Sequence, residues 1–565
     1  MRILSGTSIF KPWHLDLLSL IPIIAINPIT YYIDASRRIF SPDAIAYITM
    51  GRDLFKAALL YIPGWGHIDN GLILPPLYPL LIACGNLFSR ESLKVAEYVS
   101  CVFMLLASFP IFLYLRTHTN RLIAILSVIL IQVNFFYLAT AMLPLSEAVF
   151  LFTISLTLYL MLVLYNGSRA NGFLALALGL SSALVFFARQ IGVAMFIFLT
   201  VSHLLKFLMS KPRNLAFLRN LVLLWIGFLI LVVPYTFILF HQTGQIFYKQ
   251  SFRLGRYVVA SEDVPRSAEL EKLRELEAST YRQLYLKRRL ARKLLPDSSE
   301  MYGHLYSEKN LSHFLKRIFS NVLHPKEYLS NFLKNITFLK EPLGTITLCL
   351  FLALCITPLL VKSKKVTVST RLILPGFLVF YLVLLSCISE GTVGRYVYIL
   401  FPLVLTHMSL EIFVLLDELS HVRKKIVFIA SFALFFVLVF ALTPRTFRGM
   451  RVYSKISEAG NPYRVCKKCL NEGEAVFTLL PISAYLAGAS FRVLPNDSLE
   501  KVARYGKRTR VKWLLVDRTG VTAVERAPYT NAQWVWNAPL EKDYTQVVRF
   551  RCGTKDRNIA LYEIF

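Results

Sequence analysis

The sequence predicts an α-helical multi-span membrane protein that ends in a small C-terminal α/β domain. Of the 565 residues, 55% are hydrophobic and only 17% are charged, whereas soluble domains are about 45–50% apolar and about 25% charged. The apolar residues are concentrated in nearly uncharged segments of about 17–22 residues, the length that a helix needs to cross a bilayer. The last part of the chain instead alternates short strand-like and helix-like segments, which is typical of an α/β domain.

About eleven membrane helices are expected from these segments. The first, residues 15–33, is long for the core of a signal peptide and lacks a clear small-residue cleavage site, so it is interpreted as a retained helix. Residues 1–443 are therefore predicted to form one transmembrane domain. Its other helices are expected at 96–115, 122–138, 147–165, 172–188, 190–208, 220–240, 343–361, 372–389, 396–414 and 426–443.

Basic residues in the links between these helices predict a cytoplasmic N-terminus. With that orientation, every cytoplasmic link contains Lys or Arg, and the short links on the other side contain one Arg or none. The same distribution accounts for much of the net charge of +29 and argues against a nucleic-acid partner. The cytoplasmic links are 116–121, 166–171, 206–220, 362–371 and 421–425.

Three larger pieces then lie outside the cytoplasm: residues 34–95, a charged helical insertion at 241–342, and the C-terminal region 444–565. The first contains "LILPPLYPLL", whose apolar run of about 14 residues is too short to span a bilayer and predicts an interfacial or re-entrant helix. The C-terminal region is predicted to hold strands at 474–480, 491–495, 511–517, 544–550 and 558–565, with helices at 481–489 and 497–509.

Five ionisable residues at or near helix ends map to the extracytoplasmic side: Asp43, Glu147, Arg189, Glu390 and Arg395. Such groups are costly near a membrane and tend to be functional or paired. Acids and arginines gathered at one interface suit an anionic, membrane-borne substrate. No metal site is evident in the sequence and no cofactor is predicted, although a carboxylate cluster could hold a divalent ion.

Each of these residues has two interpretations. Asp43 is either the N-terminal cap of the helix in "SPDAIAYITMGRDLF" or a general base. Glu147 either complements a helix dipole or acts as a second acid that orients the acceptor or supports Asp43. Arg189 and Arg395 are either interface anchors or a clamp for a phosphate group, which guanidinium binds well.

The cysteines of the C-terminal region include the C-x-x-C pair Cys466 and Cys469. Zinc sites usually need a second ligand pair at defined spacing, and none is present. A local disulfide, or a bond from one of these cysteines to Cys552, is favoured in an oxidising compartment.

Two other protein classes are weighed against an enzyme. The first is a secondary transporter or lipid flippase, but the chain shows no internal repeat and its ionisable residues gather at one face. The second is a non-catalytic assembly or sensor protein, for which residues 444–565 would be essential and Asp43 dispensable. The sequence contains no nucleotide-binding motif, which disfavours an ATP-driven pump.

The order of motifs resembles a known family. "SPDAIAYITMGRDL", "LPPLYPLLIA", "MLPLSEAVFLF", "FFARQIGVAMF" and "GRYVYILFPLVL" follow one another over roughly residues 10–415. This order is similar to that of GT-C membrane glycosyltransferases, especially the bacterial branch that includes protein-mannosyltransferase-like and aminoarabinose-transferase-like enzymes. The resemblance implies the GT-C fold, a bacterial plasma-membrane location and a sugar donor carried on polyprenyl phosphate.

The resemblance also implies roles for individual residues. Asp43 matches the catalytic aspartate, the base for an inverting attack by an acceptor hydroxyl, and Glu147 matches a second acidic position. Arg189 and Arg395 match basic positions that stabilise the departing lipid phosphate. The aromatic neighbours Tyr47, Tyr78 and Tyr396 are expected to bind substrate. The acceptor is a glycan, lipid or protein. Ala44 and Leu74 depart from family members that have a second acid and a lysine at these positions.

Overall fold

The computed structural model describes most of the helical core and much of the C-terminal domain. Its longer described ranges are 75–89, 92–134, 143–166, 171–209, 215–243, 345–361, 366–388, 397–415, 498–509, 511–518, 539–554 and 558–565. Shorter stretches are 329–330, 332–333, 335–337, 417–418, 468–471, 474–478, 489–494 and 533–536. Single described residues are 21, 24, 44, 47, 48, 50, 51, 54, 137, 140, 141, 363, 466 and 487.

The helices agree closely with the predicted apolar segments. In chain order they are α1 Leu77–Gly85, α2 Ser92–Arg116, α3 Arg121–Gln132, α4 Glu147–Asn166, α5 Gly172–Ala188, α6 Val193–Met209, α7 Leu215–Thr243, α8 Thr345–Leu360, α9 Val368–Arg371, α10 Ile373–Ile388 and α11 Phe401–Leu415. Only α3 is clearly shorter than expected, since it ends at Gln132 rather than at 138. The predicted helices 15–33 and 426–443 lie outside the described residues, apart from isolated positions.

Four of the described helices are long and apolar enough to cross a membrane. They are Ser92–Arg116, Glu147–Asn166, Gln190–Met209 and Leu215–Phe237, the third being counted from the short turn that precedes α6. Shorter apolar helices, among them α3, α5 and α11, accompany them. The prediction of several apolar spans is confirmed.

Two helices begin at asparagine caps in links that the sequence analysis assigned to the cytoplasm. The side chain of Asn120 accepts a hydrogen bond from the backbone N–H of Ile123 at 2.9 Å, and that of Asn171 accepts one from Leu174 at 3.2 Å. Each cap satisfies a donor that the first turn of a helix leaves without an intrahelical partner. Local sequence therefore fixes where α3 and α5 start.

Glycine brings α5 and α7 into close contact. A Cβ on Gly179 would lie 2.1 Å from the carbonyl oxygen of Leu224, and a Cβ on Gly227 would lie 2.4 Å from that of Leu176. Small residues allow such backbone approach between membrane helices, where dispersion contacts replace the hydrophobic effect. Glycine therefore allows the two backbones to meet closely at this crossing.

The "LPPLYPLL" segment forms the short helix α1, of 9 residues, directly after its proline pair. Pro76 has φ −79° and ψ −19°, so the fixed ring geometry of proline already suits the start of a helix. The prediction of a short helix is confirmed. Its position relative to a membrane stays a prediction.

Contacts divide the chain into two compact units. The first contains the described residues of 75–238 and 311–452, and the second contains those of 39–74 and 453–565. The predicted boundary between residues 443 and 444 stays a prediction, as do the limits of the pieces 34–95 and 241–342.

A five-stranded sheet forms the centre of the second unit, and all five predicted strands are present. Its spatial order is β2-β1-β3-β5-β4, with β1 parallel to β2 and β3, and β5 antiparallel to β3 and β4. The strands are β1 Ala475–Thr478, β2 Ser490–Val493, β3 Trp513–Asp517, β4 Val548–Gly553 and β5 Ile559–Ile564, with helices α12 Leu499–Thr509 and α13 Leu540–Asp543.

Candidate active site

Two neighbouring helices, α4 and α5, bring Glu147 and Arg189 together. The short link 167–171 joins them, so they pack side by side and run in opposite directions. The hydroxyl of Thr157 donates a hydrogen bond to Ser181 at 3.1 Å about halfway along both helices. Because Glu147 begins α4 and Arg189 follows the last residue of α5, the antiparallel arrangement places both residues at the same end of the pair.

The two side chains form a buried ion pair. Arg189 Nη1 lies 2.5 Å from Glu147 Oε1, and the side chains are only 6% and 8% exposed. Glu147 also stands at the N-terminus of α4, and Arg189 at the C-terminus of α5, so each charge complements the dipole of its own helix. The dipole interpretation of Glu147 and its pairing with Arg189 are therefore compatible.

The backbone turns sharply at Arg189. This residue is extended, with φ −154° and ψ 137°, and a single 3-10 turn, Gln190–Gly192, follows it before α6 begins. Gly192 lies against the end of α5, where an added Cβ would be 2.4 Å from the carbonyl oxygen of Val185. A side chain at position 192 would collide with that carbonyl, so the tight turn after Arg189 requires glycine there.

Tyr78 connects α1 to the loop that precedes Glu147. Its side chain is fully buried, and its hydroxyl donates to the carbonyl of Ala96 and lies 2.8 Å from the Ser100 hydroxyl. Ser100 in turn donates to the carbonyl of Leu145 at 3.4 Å. Buried hydroxyls need such partners, and this set links the proline-rich helix to the start of α4. The predicted substrate contact of Tyr78 stays a prediction.

Tyr47 belongs to the second unit. The described residues Ala44, Tyr47, Ile48, Gly51 and Leu54 are helical and buried, with the spacing of one helix face. The predicted helix after Asp43 is thus confirmed at these positions. Asp43, Glu390, Arg395 and Tyr396 lie outside the described residues, and their predicted roles stay predictions.

Comparison with known proteins gives a match at the level of structure alone. No protein-family model and no curated protein matches the sequence. The crystal structure of the Archaeoglobus fulgidus oligosaccharyltransferase in complex with zinc and sulfate aligns with a TM-score of 0.54 at 13% identity, over 94% of this chain and 71% of that chain. The same archaeal enzyme, AglB, in complex with an inhibitory peptide and a dolichol-phosphate aligns with a TM-score of 0.53 at 11% identity, over 96% and 73%.

The chain has the GT-C membrane glycosyltransferase fold. A further GT-C structure, ArnT from Cupriavidus metallidurans bound to undecaprenyl phosphate, aligns with a TM-score of 0.45 at 10% identity, over 96% of this chain and 97% of that chain. Together with the four described helices that are long and apolar enough to cross a membrane, this fold indicates an integral multi-pass membrane protein. The fold expected from the motif order is confirmed.

The sequence analysis missed a second buried ion pair in this GT-C fold, between Arg371 and Glu411. Both side chains are completely buried, and Arg371 Nε donates to the two carboxylate oxygens at 2.9 and 3.1 Å. Thr357 also donates to Glu411, at 2.6 Å. Arg371 lies in a predicted charged link. The lone Glu411 within an apolar segment is the signal from which its partner position could have been found.

The second ion pair lies far from the first. Thr370, next to Arg371, donates to the side chain of Asn166 at 3.3 Å, and Asn166 is the last residue of α4. Glu147 is the first residue of the same helix, so the two ends are about 28 Å apart at 1.5 Å per residue. The GT-C core thus carries one buried ion pair at each end of α4.

The described residues contain no group of three or more His, Cys, Asp or Glu side chains arranged to hold a metal ion. Asp43 and Glu390 are outside that set. Whether a carboxylate cluster that includes these two residues could hold a divalent ion is therefore not tested.

Proposed function

We propose that this protein transfers a sugar from a polyprenyl-phosphate donor to an acceptor hydroxyl on the extracytoplasmic face of the membrane, with inversion at the anomeric carbon. The observation that carries the proposal is the buried ion pair of Glu147 and Arg189 at one end of a GT-C helical core. Burying a charge pair costs desolvation energy, so such a pair is not explained by its contribution to stability. Its predicted location on the extracytoplasmic side suits a site for an anionic lipid headgroup.

Asp43 is proposed as the general base. The acceptor oxygen attacks the anomeric carbon from the face opposite the phosphate while its proton passes to the Asp43 carboxylate. The bond between the anomeric carbon and the phosphate oxygen breaks, and both electrons leave with the polyprenyl phosphate. The transition state resembles an oxocarbenium ion, as in glycoside hydrolysis, and a positioned base contributes about 10²–10⁴-fold to such a step.

Arg189 is proposed to stabilise the negative charge that develops on the leaving phosphate, together with Arg395. A guanidinium has five N–H donors in a planar fork, so it can contact a carboxylate and a phosphate at the same time. Glu147 holds Arg189 in place before the donor binds, which is the preorganisation that electrostatic catalysis requires. Tyr47, Tyr78 and Tyr396 are proposed to line the substrate site or to support it.

The donor class is supported by one similar structure, in which AglB is in complex with a dolichol-phosphate. Dolichol is a polyprenol, and the predicted extracytoplasmic cluster of acids and arginines suits a lipid phosphate of this kind. The sugar and the acceptor are left open between glycans, lipids and proteins.

Sugar transfer by the purified protein in detergent tests the proposal. The probes are undecaprenyl-phosphate sugars labelled in the sugar, incubated with glycolipid, glycan and protein fractions from the native membrane. Label should move to one fraction and undecaprenyl phosphate should be released. The same assay separates an enzyme from a transporter or flippase, because transport needs a closed compartment and transfer does not. If the folded protein released labelled sugar from none of these donors, the proposal would be contradicted.

A further inference from the structure

Three cysteines of the second unit lie together on one face of its sheet. Cys466 is completely buried in a cluster with Leu515, Ile559 and Leu561, and Cys469 and Cys552 pack against the same cluster. The structure describes all three as thiols. The opposite face of the sheet packs on a separate core, which is formed mainly with α12.

The C-x-x-C pair forms a single tight turn before β1. The backbone N–H of Cys469 donates to the carbonyl of Cys466 at 3.0 Å. The turn brings the buried Cys466 and the more exposed Cys469 to the same side of the sheet. The local sequence alone therefore accounts for the position of two of the three thiols, Cys466 and Cys469.

A β-bulge brings the third thiol to this face. Phe550 pairs with Tyr562, but the next pair is Cys552 with Leu561, so Arg551 is an extra residue in β4. Side chains alternate between the two faces of a sheet, and one inserted residue reverses the faces that follow. Without the bulge, Arg551 would stand opposite Leu561 and Cys552 would point to the other core. The bulge turns Cys552 to the side of Leu561 and Cys466.

Cys552 is the thiol that the other two share. Its side chain interacts with those of both Cys466 and Cys469, and all three pack in the same cluster. We propose that Cys466 and Cys552 form a disulfide in the mature protein, and that Cys469 remains a thiol able to exchange with it at the sulfur of Cys552. This inference does not depend on the proposed sugar transfer.

The bond is proposed to form by exchange with a disulfide-carrying protein of the oxidising compartment in which residues 444–565 are predicted to lie. The Cys552 thiolate attacks one sulfur of the donor disulfide and releases one donor thiolate, which takes up a proton; because Cys466 and burial raise the pKa of the Cys552 thiol, this step is slow. The Cys466 thiolate then attacks the Cys552 sulfur and releases the second. The domain loses two electrons and two protons, and the donor protein gains both.

Exchange within the cluster needs no further oxidant. The Cys469 thiolate attacks the Cys552 sulfur, the bond between Cys466 and Cys552 breaks, and Cys466 leaves as a thiolate that takes up a proton. Burial raises the pKa of the Cys469 thiol above its ordinary value. Because only the thiolate attacks, exchange should be slow near pH 7 and should accelerate as pH rises.

The proposed bond joins distant parts of the domain. It links the turn before β1 to β4, the edge strand of the sheet, and closes a loop from residue 466 to residue 552. A disulfide across so long a loop restricts the unfolded chain more strongly than one within C-x-x-C. It also fastens an edge strand, which otherwise offers open hydrogen-bonding groups.

Mass spectrometry of the full-length protein tests the assignment. The protein is isolated from its native membrane without reductant, its thiols are blocked with N-ethylmaleimide at lysis, and it is digested with trypsin. Cleavage after Lys467 and Lys468 separates Cys466 from Cys469. A cross-linked peptide joining Cys466 to Cys552, with Cys469 alkylated, is expected. Reduction should lower the Tm by at least about 5 °C.

Single variants test the exchange. Cys466→Ser should move the bond to Cys469 and Cys552, and Cys469→Ser should leave the original bond intact. Three results would overturn the proposal: a Cys466–Cys469 bond in the natural protein, three alkylated thiols both as isolated and after incubation with glutathione disulfide, or one zinc ion per chain bound by the thiolates. Absence of any disulfide in Cys466→Ser would overturn the exchange step.

Discussion

Glu147 begins one membrane helix, Arg189 follows the end of its antiparallel neighbour, and their side chains meet in a buried ion pair of 2.5 Å. The pair is a property of the α4–α5 hairpin, since neither residue has its partner nearby in sequence. The ion pair gives the predicted site a fixed cation next to a fixed carboxylate. Four predictions test this site.

Removing the carboxylate of Asp43 should abolish transfer while leaving the fold intact. We expect Asp43→Asn to lower kcat by about 10²–10⁴-fold, because the amide cannot take the proton of the acceptor hydroxyl. Transfer of labelled sugar in detergent measures the effect. Asp53→Asn is the matched control, because Asp53 lies in the same predicted segment. This variant should keep the transfer activity of the natural protein. Equal activity of both variants would remove Asp43 from the mechanism.

Breaking the Glu147–Arg189 pair should affect stability and transfer separately. Glu147→Gln leaves a buried guanidinium without its carboxylate, which should lower the free energy of unfolding by about 3–5 kcal/mol. The double variant Glu147→Gln/Arg189→Gln should regain much of that stability and remain inactive. The checks are thermal melts and transfer rates of the same preparations.

The second ion pair supplies the control for this experiment. Glu411→Gln/Arg371→Gln removes a buried pair at the other end of α4 and should keep transfer wherever the protein remains folded. If this double variant lost transfer as completely as the first one, the ion pairs would be equivalent structural features. Arg189 would then have no special part in catalysis.

A methyl group at Gly192 should disturb Arg189 without altering any charge. In Gly192→Ala the new Cβ would lie 2.4 Å from the Val185 carbonyl oxygen, so the turn after α5 must shift. We expect a fall in kcat of about 10²-fold, because small displacements in a preorganised site have effects of that size. Gly376→Ala is the control, since its Cβ would meet Phe198 only at 3.6 Å. Unchanged transfer in Gly192→Ala would show that the close contact of Gly192 with the Val185 carbonyl does not position Arg189.

Hydroxyl removal at Tyr78 should distinguish positioning from substrate contact. If the chain of Tyr78, Ser100 and Leu145 positions Glu147, then Tyr78→Phe and Ser100→Ala should lower kcat alike, by about ten-fold, with the KM for the donor unchanged. If Tyr78 binds substrate directly, only Tyr78→Phe should raise KM. Kinetics over a range of undecaprenyl-phosphate sugar concentrations separate the two outcomes.

Tyr137→Phe is the control for that pair of variants. Tyr137 contacts Ser108 at 2.8 Å on the same helix as Ser100, about 12 Å further along it. Its loss removes an equivalent buried hydrogen bond at a distance from Glu147. If Tyr137→Phe reduced transfer as much as Tyr78→Phe, the loss would be a general effect of helix packing.

Hydrophobic pattern decided most of the secondary structure. Helices at membrane length and strands of four to six residues appear where the apolar runs predicted them, because each element must bury or shield its own backbone polar groups. The exception at α3 is instructive. Gln132 is buried and donates to Ser108 at 2.9 Å, and the apolar count of 122–138 could not show that the helix ends in this contact.

The sequence by itself determined the class of the protein, the approximate positions of most of the described helices, the five strands and the order of motifs that predicted the GT-C fold. Tertiary structure alone decided which charges meet: Glu147 with Arg189, and Arg371 with Glu411. It also decided, through a one-residue bulge, that Cys552 faces Cys466. The reason is physical: local periodicity governs how a segment folds, whereas a pairing between distant side chains depends on how helices dock and on strand register.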